Sequence, residues 1–161
     1  MNLKICSEKA YKTCLTKGFP ENTVWIRFYD PPEEEQGVFN PTIFQAAVLD
    51  ICYDELGEFG MNYETFFPQA DALARFIRRA VEEKKEIVCQ CTYGQSRSAG
   101  CAAAILEYYE RTGITIFADY RYCPNQMIYH KVYDALQHVP QKKEPASYIK
   151  KVVCSSSEPP F

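Results

Sequence analysis

One stretch, residues 86 to 113, limits this chain more than any other. A short apolar run, Glu86-Ile87-Val88-Cys89-Gln90, meets a turn, Cys91-Thr92-Tyr93-Gly94-Gln95-Ser96-Arg97. Ser98 to Arg111 then carries Ala, Leu and Ile at helical spacing, with Gly113 as the expected stop. A strand feeding a helix through so tight a turn belongs to a sheet covered by helices.

The remaining apolar runs extend that pattern. Leu3 to Cys6 reads as a short strand, with Ser7 capping a brief helix through Cys14. Val24 to Phe28 is β-branched and aromatic, and Asp30-Pro31-Pro32 ends it before the polar loop Glu33 to Gly37. Ala46 to Cys52 reads as another strand, apolar enough to be central. From Tyr63 to Glu83 the period changes: Phe66, Ala70, Leu73, Ile77 and Val81 recur three and four apart and predict a helix closed by Lys84-Lys85. Pro124 opens a last helix with Ile128, Val132, Ala135 and Leu136 along one side. The expected fold is an α/β three-layer sandwich, its central, largely parallel sheet of about four to five strands flanked by helices. Ligands of such sheets sit beyond the carboxyl ends of the strands, where the Cys91 turn lies.

At 161 residues the chain fits one domain. Residues 1–154 are read as that domain and 155–161 (SSSEPPF) as a flexible tail, with a short weakly patterned element just before it. A net charge of −3 argues against broad nucleic-acid affinity. Eight cysteines would suggest disulfides in a secreted chain, yet the opening MNLKICSEKAYK holds no signal-like apolar run. No run approaches a membrane span, so a cytoplasmic protein with reduced thiols is expected, without nucleic-acid or membrane partners. Cys89-x-Cys91 lacks the usual ligand spacing, so no metal and no cofactor is expected.

The turn itself suggests chemistry. Successive backbone N–H groups in a tight strand-to-helix turn aim at one point, and the helix N-terminus adds its positive end. Gly94 permits the dihedrals this requires, and the Arg97 guanidinium can grip two oxygens of a phosphate. Thr92, Tyr93, Gly94, Gln95, Ser96 and Arg97 are therefore the expected phosphate-binding residues. A thiol in that field falls from about 8.5 into a range of roughly 3.5–7.5. Cys91 is thus expected as a thiolate nucleophile that forms a phosphocysteine, with Ser98 hydrogen-bonding the sulfur to ease its departure.

Cys91, five intervening residues, Arg97 and Ser98, with Gly94 between, resemble the signature of the protein tyrosine phosphatase superfamily. The length and layout are similar to its compact dual-specificity-type members and to bacterial tyrosine-phosphatase-like proteins, over roughly residues 22 to 137. The resemblance implies a cysteine-dependent hydrolysis of phosphate monoesters, on phosphotyrosine and phosphoserine/threonine of proteins. It also implies an Asp, on a loop after a core strand, that protonates the leaving oxygen. Asp54 matches that position best; Asp50, Glu55, Glu58 and the more remote Asp30 are alternatives. Gly57 and Gly60 suit the loop after Asp54 to movement. Gln90 stands where the family usually has His before the cysteine.

Several residues stay open. Gln95 either orients the attacking water or simply faces solvent. Cys52 or Cys89 either forms a reversible disulfide with Cys91 or is buried as a small hydrophobe. His130 and His138 read as surface or packing residues, and Tyr120, Arg121 and Tyr122 either contact substrate or, on the simpler reading, belong to aromatic packing. The uncharged loop residues favour a phosphorylated protein or a small phosphate monoester over highly anionic inositol phosphates. A catalytically weak phosphate-binding module is the alternative; sulfur transfer or arsenate reduction is a more remote one.

Overall fold

The computed structural model describes residues 1–31 and 40–140. The polar loop at 33–37, the element before the tail and the tail itself lie outside the described residues.

Four strands, β1 (Leu3–Ser7), β2 (Thr23–Tyr29), β3 (Ile43–Ala47) and β4 (Glu86–Cys91), form one sheet in the order β1-β4-β2-β3. Every pairing is parallel, so each return crossing runs through other structure. The helices are α1 (Glu8–Lys17), α2 (Ala70–Glu82), α3 (Arg97–Glu110), α4 (Ile114–Phe117) and α5 (Gln126–His138). The expected α/β architecture is present.

Side-chain alternation along the strands sorts the layers. Ile87, Cys89 and Cys91 of β4 join Val24, Ile26 and Phe28 of β2 in a core shared with Leu73 and Ile77 of α2, Ile105 of α3 and Ile128 of α5. Val88 and Trp25 point the other way, against Tyr11 of α1. The helices thus form a three-helix layer on one face and α1 on the other. Leu73, Ile77, Ile105 and Ile128 are wholly excluded from solvent, and each such side chain contributes about 1.5–3 kcal/mol by burial.

Four expectations need correction. The third strand is Ile43–Ala47, not Ala46 to Cys52, and lies at the sheet edge rather than its centre. The apolar residues beyond it, Val48 and Ile51, are buried from a non-strand segment that crosses over the sheet end. The helix expected from Tyr63 begins only at Ala70, because Phe67 has φ 50° and Pro68 follows it. Phe66 still fills the core from the turn before it. α3 ends with Arg111 in the left-handed conformation, while Gly113 instead precedes α4. There a side chain would collide with the Ala103 carbonyl oxygen. Finally, the residues read as a loop after Asp54 lie in a 3-10 helix, Tyr53–Phe59, ended by Gly60 at φ 66°.

Candidate active site

β4 lies between β1 and β2, so the turn after Cys91 leaves the sheet with a strand on each side. Ser7 stands opposite Cys91 in the register, and the Glu8 N–H donates to the Thr92 carbonyl at 3.2 Å. Gly94 has φ 72°, and a Cβ there would lie 2.7 Å from the Cys6 carbonyl carbon. Both conformation and closeness to β1 require glycine. On the far side, the Cys123 N–H donates to the Gln95 carbonyl (3.0 Å) and the Asn125 N–H to the Ser96 carbonyl (3.1 Å).

The turn gathers donors around one sulfur. Cys91 Sγ lies 3.1 Å from Ser98 Oγ. Burial by itself pushes the Cys91 thiol up. Hydrogen bonds from the Ser98 hydroxyl and from the backbone N–H groups of Ser98, Gln95 and Gly94 outweigh that and leave it below its ordinary value. Cys6, on β1 nearby, goes the opposite way: burial, with no such donors, pushes it up to about 12. Cys89 behind the loop is also raised, chiefly by its hydrogen bond with Cys101 and then by burial. Cys52 is exposed at the start of the 3-10 helix.

Arg97 is 3 % exposed, and its guanidinium is held edge by edge. Nη1 donates to Asp30 Oδ1 (2.9 Å) and to the Val48 carbonyl (2.7 Å), and Nη2 to Asp30 Oδ2 (3.2 Å) and Thr92 Oγ1 (3.1 Å). Its Nε–H is buried and has no hydrogen-bond partner. A buried cationic donor without an acceptor is costly, and an anion in the cradle would satisfy it.

The carboxylates fall into distinct places. Asp30 follows β2 and occupies the outer edge of the Arg97 fork. Asp50 follows β3: its Oδ1 accepts from Ser96 Oγ (2.7 Å) and from Asn125 Nδ2 (2.8 Å), while its Oδ2 lies 3.9 Å from Arg97 Nε. Asp54 is exposed in the first turn of the 3-10 helix. Glu55 caps that helix by accepting from the Cys52 N–H at 2.7 Å, a bond that holds its carboxyl below the usual range and makes it a poorer proton donor. Asp50, Asp54, Glu55, Tyr53, Tyr63, Ser96 and His130 line one cleft of about 710 Å³ beside the loop.

Other sequence candidates stand apart. The Gln95 side chain is exposed, and Gln90 is buried on the α1 side of β4 with its Oε1 unpartnered. Arg121 pairs with Asp119 and lines a different cleft with Tyr122, Lys4 and Trp25; Tyr120 is almost fully exposed. His138 is exposed, its Nδ1 2.7 Å from the Asp134 carbonyl oxygen. Sequence reasoning missed Asn125. Its only signal was its place after Pro124, at the start of the last amphipathic helix.

No family model and no curated protein matches the sequence. Solved structures do match. The chain is similar to the PTP-2 phosphatase of Cydia pomonella, at 12% identity over 83% of this chain and 85% of that one, with a TM-score of 0.53. It is similar also to the human tyrosine phosphatase-like serine/threonine/tyrosine-interacting protein, at 14% identity over 81% and 86%, with a TM-score of 0.47. A mouse putative dual specificity phosphatase aligns at 14% identity over 80% and 76%, with a TM-score of 0.45. At such identities the likeness is one of architecture. Together with the parallel four-stranded sheet flanked by helices, it shows that this chain has the fold of the protein tyrosine phosphatases.

Proposed function

We propose that the chain is a cysteine-dependent phosphatase acting on phosphate monoesters, with phosphotyrosine and phosphoserine/threonine of proteins as its substrate class. One observation carries this reading. The Cys91 sulfur lies 3.1 Å from the Ser98 hydroxyl, which with the backbone N–H groups of Ser98, Gln95 and Gly94 holds the thiol below its ordinary value despite burial, next to a buried Arg97 Nε–H that has no hydrogen-bond partner. A core cysteine that merely filled space would gain nothing from donors that stabilise its anion.

In the first step Cys91 Sγ attacks phosphorus, the S–P bond forms and the P–O bond to the leaving group breaks. The loop N–H groups of residues 92–97 and Arg97 hold the phosphoryl oxygens, and a carboxylic acid protonates the leaving oxygen. Water then cleaves the phosphocysteine, with the Ser98 hydroxyl stabilising the departing thiolate. For the acid we take Asp50, which lines the cleft beside the loop and accepts from Ser96 within it; Asp54, in the same cleft, is the second carboxylate to be tested.

The test is release of phosphate from p-nitrophenyl phosphate and from a phosphotyrosine peptide. Cys91→Ser and Arg97→Ala are each expected to lower turnover by more than about 10³-fold, on the scale of a lost nucleophile or oxyanion donor. Wild-type protein that binds the phosphopeptide but releases no phosphate would make the chain a phosphate-binding module instead.

A further inference from the structure

We infer that Asn125 is a positioning residue for the catalytic acid: with Ser96 it fixes Asp50 so that Oδ1 only accepts and Oδ2 carries the proton delivered to the leaving group. This rests on the phosphatase reading above and names a residue that the reading does not require.

The bonds of the Asn125 amide argue for it. Its Oδ1 accepts from the Ile128 N–H at 2.9 Å, which is an ordinary N-cap of α5. Capping asks nothing of the other end. Yet Nδ2 donates to Asp50 Oδ1 (2.8 Å) and to the Ile51 carbonyl (3.0 Å), so both amide protons go to the segment that carries the acid. The Asn125 backbone N–H meanwhile holds the Ser96 carbonyl. One residue, 9 % exposed, therefore ties the phosphate loop, the Asp50 segment and α5 together.

The position is built for. In the first turn of α3, a Cβ on Gly100 would lie 2.3 Å from the carbonyl oxygen of residue 125, so the backbone that starts α5 comes this close to α3 only because residue 100 has no side chain.

The chemistry follows from which oxygen is taken. Ser96 Oγ and Asn125 Nδ2 both donate to Oδ1, and an oxygen accepting two such bonds is the poorer site for a proton. Oδ2, the oxygen that faces Arg97 Nε, is left to carry it. As the S–P bond forms and the P–O bond breaks, the Oδ2 proton passes to the leaving oxygen and Asp50 becomes the carboxylate. In the second step that carboxylate takes a proton back from the attacking water.

The experiment compares Asn125→Ser and Asn125→Asp, both of which keep a capping oxygen for α5 and lose the amide donor. Each is assayed on phenyl phosphate, whose leaving group needs a proton, and on 2,4-dinitrophenyl phosphate, whose leaving group does not. Expected is a fall of about 10–100-fold in kcat on phenyl phosphate, part of what a general acid supplies. KM should hold within about twofold, and kcat/KM on the dinitrophenyl ester, a ratio that ends at phosphocysteine formation and so omits the water step, within about threefold. Asp50→Asn is expected to show the same selectivity, and the double variant Asn125→Ser/Asp50→Asn no further loss. Equal losses on both esters in both Asn125 variants, or full additivity with Asp50→Asn, overturn the inference while leaving the phosphatase reading intact. A wild-type chain that turns over neither ester overturns both.

Discussion

Cys91, Cys6 and Cys89 lie within a few residues of one another in the sheet, yet their environments separate them. The first has donors that stabilise its anion; Cys6 has burial without that compensation, and Cys89 is raised chiefly by its hydrogen bond with Cys101 and then by burial. Because a lowered pKa leaves the reactive thiolate populated at lower pH, alkylation of Cys91 by iodoacetamide is expected to rise with a midpoint below the ordinary thiol value of about 8.5. Ser98→Ala removes one anion-stabilising donor and is expected to move that midpoint upward. Peptide mapping after brief labelling near pH 7 checks the site, with Cys6 and Cys89 unlabelled. A midpoint unmoved in Ser98→Ala would mean that the hydroxyl contributes nothing to the thiolate.

At the scale of elements, the glycine inside the Cys91 loop and the one in the first turn of α3 carry different burdens. Gly94→Ala places a methyl against the β1 backbone at a positive φ. It is expected to lower kcat at least tenfold, because the N–H groups of residues 94 and 95 then lose their aim. Gly100→Ala pushes α3 from α5 and is expected to destabilise by about 1–3 kcal/mol in urea titration. The strand–turn–helix holding Gly94 was legible in the sequence because each part carries a period of its own: β4 matched within a residue and α3 within one at each end. β3 was not. Val48 and Ile51 are apolar because they cover the sheet end from a loop, and hydrophobicity alone does not separate that from a strand. Likewise the stripe through Phe66 is genuine burial, but Phe67-Pro68 delays the helix. Of the site, the loop could be read from Cys91 to Ser98. The asparagine clasp could not, since it joins residues 75 positions apart.

For the molecule as a whole, the core under the loop is formed by α2, α3 and α5 against β4 and β2. Leu73→Ala, at a wholly buried position of α2, is expected to cost about 2–5 kcal/mol in a single cooperative transition, read by urea titration with fluorescence of Trp25. Separate transitions for Trp25 fluorescence and far-ultraviolet dichroism would contradict that unity. The strand order has a further bearing. β1, contributed by residues 3–7, borders the strand of Cys91 on one side, and α1 packs beneath it. The loop can therefore close only once the earliest and the middle parts of the polypeptide have met. A version trimmed of its first seventeen residues would leave β4 an edge strand, with its amides open to water and to neighbouring chains. Catalysis and protection from aggregation should then fail together.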